Sequence, residues 1–285
     1  MMTEADFAFL RGFLRERSGL DLGPEKMYLA ESRLRPICQD AGLASLGELI
    51  RRLRQGGDRG LADATIVAMA THETMFFRDR TPFEALRADI LPRLLDARSS
   101  VRRLRIWSAA ASMGQEAYSI ALILHEMRPL LEGWNVQILG TDISPAAIAR
   151  ARAGTYSTFE VQRGLPVRHL LDHFTPAGAD WTIAPELRAM VEFRVLNLLE
   201  DFRALGRFDL ILCRNLAIYL DPPTKTALFE RLAGVLAPDG SLCLGTSESV
   251  VGYTRVLAPD PQQRGYFVHA AARAVAEPVR PAMVG

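Results

Sequence analysis

Cysteine is scarce in this 285-residue sequence, and the three present, Cys38, Cys213 and Cys243, are odd in number, far apart and set in apolar or mixed runs. That excludes a disulfide framework or a zinc site and points to a reducing cytoplasm. Long hydrophobic runs are also missing, and the opening Met-Met-Thr-Glu-Ala-Asp has neither a basic start nor an apolar h-region, so neither membrane insertion nor a signal peptide is expected. A charge of one sign is absent too: 34 Lys plus Arg stand against 33 Asp plus Glu, which leaves no global field to attract nucleic acid or an anionic membrane. No P-loop, Ser-His-Asp pattern, internal repeat or low-complexity tract occurs. His169 and His173 lie four apart on a candidate helix but lack a third ligand, so no metal is assigned.

What remains is a chain long enough for two units and a core burying roughly three quarters of the unfolded surface. Residues 1–75 read as a small all-helical domain. Phe7, Leu10, Phe13 and Leu14 form one apolar stripe, and Leu46, Leu49, Ile50 and Leu53 another. Turn signals at 19–24 and 56–60 divide it, and Thr81-Pro82 starts a linking helix towards Leu95. Residues 76–273 alternate strands and helices: strands at 104–107, 136–140, 191–196, 208–213 and 241–246, helices from Gln115, Pro145 and Pro223. That alternation predicts an α/β, Rossmann-like parallel sheet. Between about 154 and 189 the pattern loosens into an insertion or small subdomain, and residues 274–285, with Pro278 and Pro281, read as a flexible tail.

The segment from Arg105 to Ser119 is an apolar strand, a run of very small residues around Gly114, and a helix start. A second strand, 136–142, ends in Asp142, where a doubly wound sheet places the carboxylate that holds a ribose hydroxyl. Only Gly114 stands where the dinucleotide fingerprint needs three glycines, so a pyrophosphate has no seat. A phosphate-free adenosyl ligand such as S-adenosylmethionine fits better, with Ala109 to Ser112 allowing close backbone approach. Tight strand-to-helix packing explains the turn equally well on its own, and Asp142 tips the balance.

Two further clusters carry chemistry. His72-Glu-Thr-Met-Phe-Phe-Arg78 sits at the junction of the two units, a common place for ligand clefts; the alternative is that Phe76 and Phe77 merely fill an interdomain core. The strand 208–213 runs into Arg214-Asn215, so polar groups emerge at the carboxyl edge of the sheet, with Asn215 and Tyr219 facing the cleft. Asp221-Pro-Pro223 echoes the aminomethylase tetrad, but Thr224 replaces its aromatic residue and the motif lies too far past the strand.

Taken together, these motifs resemble the chemotaxis receptor methyltransferase (CheR) family over nearly the whole chain, from about Phe7 to Phe267. The junction is similar to the family's N-E-T-x-F-F-R, and Trp107 to Ser119 to its W-S-A-x-x-S-T-G-E-E-P-Y-S. Gly140-Thr-Asp142, Cys213 to Tyr219, Leu236 to Gly240 and Ser247-Glu248 complete the series. The resemblance implies an S-adenosylmethionine-dependent protein-glutamate O-methyltransferase. It would form methyl esters on chemoreceptor cytoplasmic domains and release S-adenosylhomocysteine. Carried across residue by residue, it assigns cofactor contacts to His72, Thr74, Arg78, Glu116, Asp142, Asn197, Leu198, Asn215 and Leu216, and catalytic roles to Arg78 and Tyr219. A cytoplasmic location follows, with no nucleic-acid partner, and a monomer is favoured while the oligomeric state stays open.

His72 stands where the family usually has asparagine, Met113 where it has threonine and Ala117 where it has proline. A non-catalytic interaction protein and a methyltransferase of the same fold acting on a small molecule or nucleic acid are the rival readings. Arg33, Arg35, Arg51, Arg52 and Arg54 are the candidate receptor-facing cations of the helical domain, and the insertion corresponds to the family's small β-subdomain.

Overall fold

The computed structural model describes residues 2–272. The expected tail from 274 onward lies outside the described residues. Helix α1 (Glu4–Ser18) begins at Thr3, whose hydroxyl accepts the Asp6 N–H while the Asp6 carboxylate reaches back, and it stops at Gly19 in the left-handed region, φ 75°. Then come α2 (Met27–Asp40), α3 (Leu46–Gln55), started by the Ser45 hydroxyl, and α4 (Arg59–Met69), started by the Asp58 carboxylate. Phe7, Leu10 and Leu14 meet Leu34, Leu49, Ile50 and Leu53 in one buried core, as the two stripes predict, while Phe13 lies at its margin. The junction leads into α5 (Thr81–Ala85), which continues through one wide turn into α6 (Leu91–Ala97).

The sheet unit opens with β1 (Arg103–Ser108), α7 (Gln115–Glu126), β2 (Asn135–Asp142) and α8 (Pro145–Ala153). After the insertion it resumes with β6 (Val191–Val195), β7 (Phe208–Cys213), α12 (Pro222–Val235), β8 (Leu236–Leu244), β9 (Leu257–Pro259) and β10 (Tyr266–His269). Strand order is β6-β2-β1-β7-β8-β10-β9. Pairing is parallel from β6 to β8 and antiparallel at β10 and β9. All of β7 is buried, as a continuous apolar run in a doubly covered sheet requires. The chain leaves β1 towards β2 and β6 and then crosses back to β7, so the crevice lies beyond the carboxyl ends of β1 and β7. β8 starts five residues earlier than its apolar run suggests, and β9 and β10 were not legible, because short antiparallel edge strands carry little period.

The insertion is a small antiparallel sheet, as the family resemblance implies: β3 (Thr155–Ser157), β4 (Phe174–Ala177) and β5 (Asp180–Ile183) pair in the order β3-β5-β4. Short helices α9 (Thr158–Gln162), α10 (Val167–His173) and α11 (Pro185–Ala189) frame it. It grips the junction. Phe76 is fully buried, with its ring 5.0 Å from that of Tyr156 and 5.6 Å from that of Phe174. Phe77 stacks on His169 at 5.5 Å. Gly164 has φ +92°, and a Cβ there would collide with the Phe76 carbonyl oxygen. Gly164→Ala is therefore expected to destabilise the fold by about 2 kcal/mol or more, combining left-handed strain with a backbone clash. Urea unfolding would check it, and an unchanged midpoint would contradict the contact.

Among the described residues no helix is long and apolar enough to cross a membrane, and no group of His, Cys, Asp and Glu could hold a metal ion. All three thiols are free and buried. Burial pushes the Cys243 thiol up to about 12 and raises Cys213 well above the ordinary range. Asp221 accepts the Thr224 N–H at 2.9 Å and Pro222 occupies the first turn, so Asp221-Pro-Pro223 starts a helix.

Candidate active site

At the end of β1, Ser108 leads into the turn 109–114, where Ser112 (φ 50°) and Gly114 (φ 93°) adopt left-handed geometry. Gly114 is required from below: a Cβ would sit 2.9 Å from Ala151 Cβ and 3.1 Å from the Phe193 ring. The glycine thus serves strand-to-helix packing, and Ala109 and Ala110 are the turn residues that face the crevice.

Asp142, at the end of β2, holds this turn. Its Oδ2 accepts the Ser112 N–H at 2.9 Å and its Oδ1 the Ser144 N–H at 2.9 Å. His72 brings Nε2 to 3.7 Å from Oδ1, and that nitrogen is buried without a hydrogen-bond partner. The His72 carbonyl accepts the Ser112 hydroxyl at 3.3 Å. The crevice beside Asp142 has a sheet wall of Ile143, Leu196, Asn197, Leu198, Leu216 and Leu220 and a helical wall of Ser18, Leu20, Ile66 and Ala70. Asn197 bridges the walls, its amide donating to the Arg17 carbonyl at 2.7 Å and its Oδ1 accepting the Leu199 N–H at 3.0 Å. Leu20 and Leu220 form a backbone bridge, and the Asp21 N–H donates to the Tyr219 carbonyl at 2.8 Å.

A second, adjoining group is buried. Glu116 accepts the Ser108 hydroxyl on Oε1 at 2.7 Å and Arg214 Nη1 on Oε2 at 3.2 Å. Arg214, with its side chain 1% exposed, also donates Nη2 to the Arg78 carbonyl and to Asp79 Oδ2, both at 2.8 Å. Burial opposes the guanidinium charge, but Glu116, then Cys243 and Asp79, outweigh it and raise Arg214 above the ordinary arginine range. Arg78 turns one donor to the Glu73 carbonyl at 2.7 Å, and Glu73 pairs with Arg163 of the insertion at 2.7 Å.

Asn215 (φ 57°) follows Arg214, and its N–H donates to Glu248 Oε2 at 2.7 Å. Glu248 also accepts the N–H groups of Gly245 at 2.7 Å and Ile218 at 3.2 Å, so one carboxylate folds the loops after β7 and β8 together. Thr74 and Tyr219 are half-buried beside these groups in sequence.

Of the residues nominated from the sequence, Asp142, Asn197, Leu198 and Leu216 line one crevice, with His72 beside Asp142; Arg78 and Glu116 join through Arg214. Arg214 and Glu248 were not assigned roles from the sequence: the motif letters mark them, but their long-range partners are invisible there. Most of the arginines nominated as receptor-facing have partners within the helical unit. Arg33 caps the end of α4 through the Met69 carbonyl at 2.7 Å, Arg51 and Arg52 pair with Glu48 at 3.7 and 3.3 Å, and Arg54 pairs with Asp6 at 3.3 Å. Arg35 is exposed.

The chemistry of the crevice lining suits the adenosyl part of a phosphate-free ligand. Its walls are apolar enough for a base, Asn197 supplies an amide, and Asp142 is the one charged residue lining it. Each Asp142 oxygen keeps a lone pair beyond its backbone donor, and the orphaned His72 Nε2 faces that carboxylate.

Comparison with known proteins shows the family. Residues 72–265 match the family model described as CheR methyltransferase, SAM binding domain, and residues 5–69 match that of the CheR methyltransferase all-alpha domain. The chain is 42% identical over 253 residues to chemotaxis protein methyltransferase 1 of Pseudomonas aeruginosa, covering 87% of this chain and 91% of that one. It is 38% identical over 251 residues to chemotaxis protein methyltransferase Cher2 of Pseudomonas putida, with the same two coverages of 87% and 91%. A chemotaxis protein methyltransferase of Vibrio parahaemolyticus is 37% identical over 256 residues, 89% of this chain and 92% of the relative.

Proposed function

Since the chain belongs to the CheR family of S-adenosylmethionine-dependent methyltransferases, we propose that it methylates glutamate side chains on the cytoplasmic domains of chemoreceptors. The observation that supports this reading is the Asp142 crevice beyond the ends of β1 and β2, together with the buried Arg214–Glu116 pair that ties the Arg78 segment to the end of β7 and the start of α7.

A receptor glutamate with an ordinary pKa of about 4.3 is more than about 99% ionised at pH 7, so its oxygen attacks without a general base. When bound, the cofactor supplies an electrophilic methyl group on a cationic sulfur. What the protein must do is position. Asp142 and Asn197 orient the adenosyl part, Leu198 and Leu216 flank the base, and Glu116, His72, Thr74 and Asn215 complete the enclosure. Arg78 aligns the acceptor carboxylate with a charge-assisted hydrogen bond, and Tyr219 shapes the acceptor side. Alignment of this kind accounts for up to about 7–11 kcal/mol of barrier in favourable cases.

Arg78→Ala is expected to lower kcat/KM about 10- to 150-fold, the loss of one charged hydrogen bond of about 1.5–3 kcal/mol, and Tyr219→Phe about fivefold, for a neutral one of about 1 kcal/mol. Initial rates of receptor methylation check both, and a wild-type rate in either variant removes that residue's role.

The reading itself is tested with methyl-labelled S-adenosylmethionine and membranes carrying chemoreceptors from the same cell. Protein-bound label released as methanol by mild alkali supports carboxyl methylation. Cofactor binding without any label on the receptor would overturn it in favour of a non-catalytic partner.

A further inference from the structure

We infer that Arg214 is a positioning residue for methyl transfer, setting the place of the Arg78 side chain by clamping its backbone from beneath the site. The inference rests on the methyl-transfer reading above and adds to it a residue that does not itself touch either reactant.

Arg78 lies in a segment of unusual backbone geometry. Phe77 (φ 48°), Asp79 (φ 69°) and Arg80 (φ 45°) all sit in the left-handed region without being glycine. Conformations of this kind persist only where the surroundings over-determine them, and they gather at functional sites. Here the surroundings are identifiable. Upstream, the Phe77 N–H donates to the Ser119 hydroxyl of α7 at 2.9 Å. Downstream, a single Arg214 nitrogen, Nη2, reaches both the Arg78 carbonyl and the Asp79 carboxylate at 2.8 Å. The other terminal nitrogen anchors on Glu116 at 3.2 Å, and the guanidinium carbon lies 5.3 Å from the centre of the Phe83 ring. The planar fork thus ties the strained segment to the first turn of α7 and to the end of β7 at once.

Stability does not explain this arrangement. Arg214 Nε is buried with no hydrogen-bond partner, and buried ion pairs are commonly replaced by apolar residues without loss of stability. A clamp that fixes a catalytic backbone does explain it. Because Nη2 grips the main chain of Arg78 and the side chain of the next residue, the direction in which the Arg78 side chain leaves the backbone is set by Arg214.

The test is a double-mutant cycle on kcat at saturating cofactor and receptor, using Arg214→Lys, which keeps the charge and loses the fork, and Arg78→Ala. Arg214→Lys alone is expected to lower kcat about 10- to 100-fold, but by less than about threefold when Arg78 is already alanine. Asp79→Asn, on a side chain 28% exposed, should show the same pattern more weakly and serves where the lysine variant does not fold. Calorimetric titration with S-adenosylhomocysteine on each folded variant separates loss of cofactor affinity from loss of kcat. Equal losses in both backgrounds, or an unchanged kcat in the single variants, would overturn the positioning role. A wild-type protein that transfers no label to receptors would instead sink the methyl-transfer reading on which the role rests.

Discussion

Asp142→Ala is expected to weaken binding of S-adenosylmethionine and of its product about 10²- to 10³-fold, an effect of about 3–4 kcal/mol from losing two charged hydrogen bonds to the ligand. The size follows from what the carboxylate does in the structure. Each oxygen is already aimed by one backbone donor, Ser112 N–H and Ser144 N–H, both at 2.9 Å, so the remaining lone pairs point into the crevice without further ordering. Removing the side chain loses the ligand bonds and also frees the left-handed Ser112, on which the shape of the turn depends. Asp142→Asn should fall between the two, because its amide can accept from only one of the donors and must oppose the other. Calorimetric titration with S-adenosylhomocysteine measures both variants. Affinity within about threefold of wild type in the alanine variant would show that the ligand does not depend on this acid.

The second large effect is on stability. Glu116→Ala is expected to destabilise the protein by about 3–5 kcal/mol, since it leaves the Arg214 guanidinium buried without its principal counter-charge and strands the Ser108 hydroxyl. For a chain of this size that corresponds to a fall in Tm of roughly 6–15 °C. Replacing the pair together, with Glu116→Leu and Arg214→Met, should recover only part of the loss: it removes the buried unpaired charge but leaves the Ser108 hydroxyl, the Arg78 carbonyl and Asp79 without their partners. Methylation should stay absent in the recovered protein. Differential scanning calorimetry decides it: a Tm within about 2 °C of wild type for Glu116→Ala would mean that the pair is solvated.

Much of this architecture was legible in the sequence wherever a local rule sufficed. Continuous apolar runs marked β1, β2 and β7, the acid at the end of β2 marked Asp142, and apolar stripes marked α1 and α3. Gly114 was legible as a turn residue, yet its neighbours Ala151 and Phe193 show that it relieves packing, which no single-sequence pattern distinguishes from ligand approach. The insertion's small sheet was legible only through the family resemblance, because strands of three or four residues leave too little alternation to count. Arg214 and Glu248 escaped for another reason. Their partners lie 98 and 136 residues away for Arg214 and up to 33 away for Glu248, and a motif letter carries no distance. The contacts of the helical unit's arginines were equally illegible: spacing does not show that Arg33 and Arg54 also hold helices together.

The ligand crevice has one wall from each unit: Ser18, Leu20, Ile66 and Ala70 face Asp142, Leu198 and Leu216. The helical unit is therefore not an interchangeable adaptor. A chimera that grafts the helical unit of a relative onto this sheet unit inherits one wall of a foreign crevice and loses the Arg17–Asn197 and Leu20–Leu220 seams. Whatever binds to the helical unit, substitutions in it will be filtered by whether they preserve the crevice wall it supplies.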